Sequence, residues 1–201
     1  SLVTPDTPRT MRTCLGAAAT LTPEEITTAD FNGCTHAHIE GYLLFDRDLM
    51  LHVLRTAKAA RCRISVDLAS PEVVRQCRAT LDAALREYVD MVFANAEEAA
   101  AFAQASDPEA ALDVLAGVCP LAAVKLGPQG ALVKTGSQVV RIPARRVHAI
   151  DTTGAGDLWA AGFLFGVLTG RNMATSGRIA AHVAAAVVEQ VGAVIPPPQW
   201  A

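Results

Sequence analysis

Charge is scarce in this chain: only 18% of its 201 residues are Asp, Glu, Lys or Arg, and 17 basic against 20 acidic side chains leave a net charge of −3. With no basic run and no interleaved aromatic stripe, the sequence offers nothing for a nucleic-acid backbone to bind. Long apolar runs are missing too. No uninterrupted stretch reaches the roughly 18 residues of a membrane span, and Ser1-Leu2-Val3-Thr4-Pro5 lacks the charged and apolar regions of a signal peptide. The expectation is therefore a cytoplasmic protein with no membrane partner. Five cysteines (Cys14, Cys34, Cys62, Cys77 and Cys119) are odd in number and scattered, with no C-x-x-C pair. That argues against a disulfide framework and a zinc knuckle, and most of them read as small buried apolar residues. There is no G-x-x-x-x-G-K-[ST] loop and no G-x-G-x-x-G after a strand, so two other phosphate-binding designs fall away. No internal repeat or low-complexity tract is visible, and Pro196-Pro197-Pro198 is a stiff terminal stop.

What is present is core-forming residue. A hydrophobic content of 51% over this length predicts one globular domain of ordinary size. Residues 2–15 read as a hairpin, with turn chemistry at Pro5-Asp6-Thr7-Pro8 between two short β-type runs. Asp46 is a candidate N-cap for a helix whose Leu49, Met50, Val53, Leu54 and Ala57 recur at spacings of three and four. Strands are expected at 62–66, 91–94 and 122–126, with a hairpin from 131–134 and 139–142. Ser70-Pro71 opens a helix with Val73, Val74, Cys77, Leu81 and Leu85 on one face. Further helices are expected over 96–104, 108–116, 155–168 and about 174–191, with Gly170 and Gly192 as stops. Strands alternating with amphipathic helices imply a mostly parallel sheet covered on both faces, whose ligands bind at the carboxyl ends of the strands. Asp67, Asn95 and Gly127 each follow a predicted strand and would meet at that edge. His36 and His38 alternate, so on a strand both face one side; a metal pair and packed strand histidines are the two readings.

Asp151-Thr152-Thr153-Gly154-Ala155-Gly156-Asp157 runs straight into the apolar helical pattern from Leu158 to Leu164. Gly154 and Gly156 allow backbone to approach a ligand, and the first N–H groups of the helix have no intrahelical partner and can face a phosphate. Asp157, beside them, could accept the proton of an attacking hydroxyl. A glycine turn that merely starts a helix is the plainer alternative. Asn95-Ala96-Glu97-Glu98 sets an amide and a carboxylate where they could orient water around Mg²⁺, and the same pair would also form a capping box. Lys125-Leu126-Gly127-Pro128-Gln129-Gly130 joins two strands through a turn whose glycines permit positive φ; Lys125 itself could be simply solvated.

Together these segments resemble the ribokinase-like (PfkB) carbohydrate and nucleoside kinases. The resemblance implies a Rossmann-type three-layer α/β/α fold with a mostly parallel sheet. It also implies an ATP- and Mg²⁺-dependent kinase acting on a hydroxyl of a small-molecule sugar or nucleoside. Asp157 is then the base, and Gly154, Ala155 and Gly156 form the anion hole. Asn95 and Glu98 lie in the Mg²⁺ and phosphate region, Lys125, Gly127 and Gly130 in the nucleotide loop. Asp151, Thr153 and the Gly192-Ala193 region correspond to a K⁺ site of many family members. The position that often contacts adenine is Ala181 here, with His182 following. Asp67-Leu68-Ala69-Ser70 and Arg9-Thr10-Met11 look most like the adenosine-kinase-like branch, which makes Arg9 a candidate substrate contact. The resemblance starts partway into the family pattern, without its N-terminal Gly-Gly and Gly-x-Gly-x-Asp segments. Residues 1–15 are thus expected to be a remnant of a β lid, through which a homodimer could form, and 16–201 the nucleotide-binding domain. The alternative is a truncated nucleotide-binding or regulatory module without turnover.

Overall fold

The structure, a computed structural model, describes residues 2–3, 9–10 and 13–196, the first two pairs by backbone alone. Strands β1 (Leu2–Val3) and β2 (Arg9–Thr10) pair antiparallel, Leu2 opposite Thr10. The Pro5 to Pro8 turn, Met11 and the side chain of Arg9 lie outside the described part. The chain divides into two compact units, Leu15–Lys125 with Leu132–Val139, and Ser1–Cys14 with Leu126–Ala131 and Val140–Ala201.

In the first unit β3 (His36–Glu40), β4 (Arg63–Asp67), β5 (Met91–Asn95) and β6 (Leu121–Lys125) lie side by side and parallel. Each step between them is made by helices: α1 (Arg47–Ala59), then α2 (Pro71–Gln76) with α3 (Arg78–Glu87), then α4 (Ala96–Ala103) with α5 (Pro108–Ala116). Parallel neighbours need such crossovers, and right-handed crossovers stepping in one direction put all these helices on one face of the sheet. Ala37, Ile39, Ile64, Val66, Val92 and Ala94 alternate toward that face and are buried, as are Leu49, Met50, Val53, Leu54 and Ala57 of α1. Strands β7 (Ala131–Thr135) and β8 (Gln138–Ile142) complete a mixed six-stranded sheet in the order β3-β4-β5-β6-β7-β8.

Within this unit the sequence pattern places α5 at its observed bounds and errs at several other elements. The single helix expected from Ser70 is interrupted at Cys77, whose backbone leaves the helical region (φ −106, ψ 16) while its thiol donates to the Leu44 carbonyl at 3.3 Å. Single-turn 3-10 helices over 16–31 and 41–45 have no periodicity to announce them. His36 and His38 do share a face: both rings bond the hydroxyl of Ser65, at 2.8 and 2.7 Å. They are thus strand histidines tied to a neighbouring strand, and no cluster of three His, Cys, Asp or Glu suited to a metal occurs among the described residues.

The second unit is built around α6 (Ala155–Leu168) and α7 (Met173–Val188), which pack against each other. The contact is made by small residues. A Cβ on Gly162 would lie 2.8 Å from the Ala180 Cα, and one on Gly166 would lie 2.6 Å from the Ser176 Cα. Gly166→Val should therefore lower stability by about 1–3 kcal/mol, the usual cost of overpacking, read as a fall in the urea midpoint. An unmoved midpoint would mean that the two helices do not approach this closely. Helix α7 ends at Val188, short of the expected 191, because the Val188 carbonyl is taken by the N–H groups of Ile150 (2.7 Å) and Asp151 (3.3 Å). No helix among the described residues is long and apolar enough to cross a membrane.

Candidate active site

Helix α6 begins differently from its neighbours. Helices α1, α2, α4, α5 and α7 are each closed by an N-cap side chain, from Asp46, Ser70, Asn95, Asp107 and Asn172. The N-cap of α6 is Gly154, which has no side chain to offer and sits in the left-handed region at φ 76. A Cβ there would be 2.7 Å from the Cβ of Ala193 and strained by the backbone angle as well. The Ala155 N–H bonds Thr152, while the amides of Gly156 and Asp157 fall in the first turn, where no intrahelical acceptor exists. The Asp157 carboxylate is exposed on that turn and has no hydrogen-bonding or ionic partner among the described residues. An open positive helix end beside a free carboxylate can receive an anion and a proton together.

Asp151 fixes this loop. Buried to 1% exposure, its Oδ1 accepts from the Thr153 N–H (2.9 Å) and Oγ1 (2.6 Å), and its Oδ2 accepts from the Gly192 N–H (2.9 Å). Residues 41 positions apart are thereby clamped, which brings Gly192-Ala193 against Gly154. At least three of about four acceptor positions on this carboxylate are in use, so at most one remains for a monovalent cation, and other oxygens would have to come from backbone carbonyls. Gly130 follows the 3-10 turn Gly127–Gln129 at φ 93, and a Cβ on it would lie 2.0 Å from the Ile142 carbonyl oxygen, so only glycine fits. The loop is closed by the Leu126 N–H donating to Gly130 at 2.7 Å. His182 accepts through Nδ1 from the Arg145 guanidinium at 2.5 Å.

In the other unit, the four parallel strands end on Glu40, Asp67, Asn95 and Lys125, with Glu40 in register with Asp67 and Asn95 with Lys125. Gly41 lets the chain turn here, since a Cβ on it would sit 2.6 Å from the Asp67 carbonyl oxygen. Asn95 and Glu98 form the full capping box. The Asn95 Oδ1 accepts from the Glu98 N–H (2.9 Å), and the Glu98 carboxylate accepts from the Asn95 N–H (2.7 Å) and Nδ2 (2.6 Å). Glu98 is 3% exposed. Burial raises its pKa to about 7, with Asp67 and Glu40 adding to the rise and the Asn95 N–H and Lys125 opposing it. Lys125 is not solvated: its ammonium lies 2.5 Å from the Asp67 carboxylate. Sequence reasoning missed this pair and Glu40, because nothing local signals a contact across 58 positions.

The profile of the pfkB family carbohydrate kinases matches residues 1–200. The chain belongs to this family. Among pfkB relatives, the crystal structure of adenosine kinase from Sinorhizobium meliloti is 35% identical with a TM-score of 0.80, the match covering 86% of this chain and 54% of that one. A 2-dehydro-3-deoxygluconokinase from Bacillus subtilis is 30% identical over 77% of this chain and 50% of its own length. A cytidine kinase from Thermococcus kodakarensis is 33% identical over 52% of this chain and 38% of its own. The pfkB chain thus has a ribokinase-like α/β fold and spans about half the length of its solved relatives.

Proposed function

We propose that this chain carries the phosphoryl-transfer apparatus of an ATP-dependent kinase that acts on a hydroxyl of a sugar or a nucleoside. The observation that carries the reading is the start of α6, an uncapped helix end with a free Asp157 in its first turn. In this reading Asp157 accepts the proton of the attacking hydroxyl, and the amides of the Gly154 to Gly156 turn stabilise charge developing on the transferred group. Gly127 and Gly130 keep the backbone of their loop bare enough for a nucleotide to lie against it, and Lys125 supplies positive charge nearby in sequence. Asn95 and Glu98 are the residues that would hold Mg²⁺, through water. Their oxygens are the hard donors this ion takes, and the site fits an ion that keeps much of its water and is held largely by phosphate. When bound, Mg²⁺ neutralises charge on the nucleotide phosphates. A K⁺ ion beside Asp151 and Thr153, a lid role for residues 1–15 with association through it, and an acceptor contact from Arg9 belong to the same reading.

The named relatives span nucleosides and a sugar acid, which supports the acceptor class without selecting a member. A nucleotide-binding module without turnover is the second reading. Calorimetry with Mg-ATP, paired with a coupled ADP assay over ribose, fructose and adenosine, separates them. Nucleotide binding is expected in either case. Acceptor-dependent ADP formation supports the kinase, binding without it supports the module, and no binding sinks both.

A further inference from the structure

Asp67 ends β4 and Lys125 ends β6, so the lysine reaches across the end of β5 to make its bond. Both partners are withdrawn from water, at 13% side-chain exposure for Lys125 and 8% for Asp67. That sets the pair apart from Lys134–Asp113, at 21% and 62%, and Arg75–Glu72, at 61% and 66%. A lysine on a four-carbon stem is easily hydrated and ordinarily snorkels to solvent. Here the ammonium instead sits at 2.5 Å on Asp67 Oδ2, while Oδ1 takes, among the described residues, only the long bond from the Ala69 N–H at 3.3 Å. The neighbouring carboxylate is served differently. Both oxygens of Glu98 are held by Asn95, whose backbone is in register with Lys125.

Of the two buried carboxylates, Glu98 is therefore matched by neutral N–H donors and Asp67 by a full positive charge. A divalent cation approaching this edge meets a carboxylate whose charge is already spent, and an ammonium of its own sign. The affinity of such sites for hard cations follows the count of charged oxygen ligands they can offer. We propose that Lys125 is a tethered counter-ion holding Asp67 in place of a metal, and that removing its ammonium frees the Asp67 carboxylate, at the end of the strand beside Asn95, to take a divalent cation. Lys125 is thus a determinant of how weakly the bare cation binds. The inference rests on the proposed function only in taking Mg²⁺ as the cation that meets this edge.

The test is calorimetric titration with MgCl₂ alone, without nucleotide, on the unsubstituted chain, Lys125→Met, Asp67→Asn and the double variant. Lys125→Met should bind Mg²⁺ about tenfold tighter or more, and the double variant should lose that gain. Asp67→Asn alone should stay within about twofold of the unsubstituted chain, because a paired Asp67 contributes no ligand. Lys125→Met binding no tighter overturns the proposal, as does a tenfold loss in Asp67→Asn, which would make Asp67 a ligand already. If Lys125→Met does not fold in buffer, millimolar MgCl₂ should restore its folding where KCl of equal ionic strength does not. Failure of that rescue also counts against the proposal. Nucleotide binding by the unsubstituted chain is read separately: its absence beside a gain in Lys125→Met defeats the kinase reading and leaves this one standing.

Discussion

On the proposed kinase reading, Asp157→Asn should lower acceptor turnover by about 10²–10⁴-fold, the contribution of a positioned general base. The amide keeps the size of the side chain and cannot take the proton. Fold and nucleotide affinity should survive, because Asp157 is exposed and has no hydrogen-bonding or ionic partner among the described residues. Its one structural service is to place negative charge in the first turn of α6, where the helix dipole gains about 0.3–1 kcal/mol from it. A loss of that size moves a melting temperature slightly and leaves turnover untouched. The measurement is therefore kcat beside thermal melting and the nucleotide Kd. A large fall in kcat with the other two nearly constant assigns the base to Asp157. A fall of less than about tenfold places the base elsewhere, and a parallel collapse of melting would make the residue structural.

How far the sequence spoke depended on the range over which each feature is decided. Asp107-Pro108 and Asn95-x-x-Glu98 are complete N-terminal signals within four residues, and both helices start where those signals place them. The run from Gly154 to Leu168 is as local, and α6 has the bounds that its pattern implies. Features decided by distant residues were silent. Helix α7 stops at Val188 because Ile150 and Asp151 claim its carbonyl, a partner 38 positions earlier for Ile150 that no C-cap rule contains. Strand β3 hides behind alternating histidines, whose meaning depends on Ser65 in the next strand. Lys125 could be read from sequence as a nucleotide-loop lysine or a solvated one, and only the parallel order of β4, β5 and β6 brings Asp67 within its reach. Glycines behaved likewise: the pattern marks Gly130 and Gly154 as permissive, while Ile142 and Ala193 make them necessary.

Glu98 should make the unliganded protein less stable as pH rises from about 4.5 to about 7. The carboxyl has an ordinary pKa of 4.5, which burial lifts to about 7 in the fold. Below that window it carries its proton in both states and favours neither. Within the window the folded state keeps the proton and the unfolded state releases it, so each rise in pH favours unfolding, and above it the full penalty of a buried charge is present. A rise from 4.5 to about 7 amounts to about 3 kcal/mol, a large share of the 5–15 kcal/mol that holds a typical domain together. His36 acts with the opposite sign. Burial lowers its pKa below 6.5, so its contribution grows as pH rises toward that value. The two are separated by Glu98→Gln, which cannot titrate and leaves His36 unchanged. The loss of stability between pH 4.5 and pH 7.5 in the unsubstituted chain should exceed that in the variant by about 3 kcal/mol, measured from urea midpoints in metal-free buffer. Parallel curves would show that Glu98 ionises normally, in contact with enough water to make its burial beside Asp67 irrelevant.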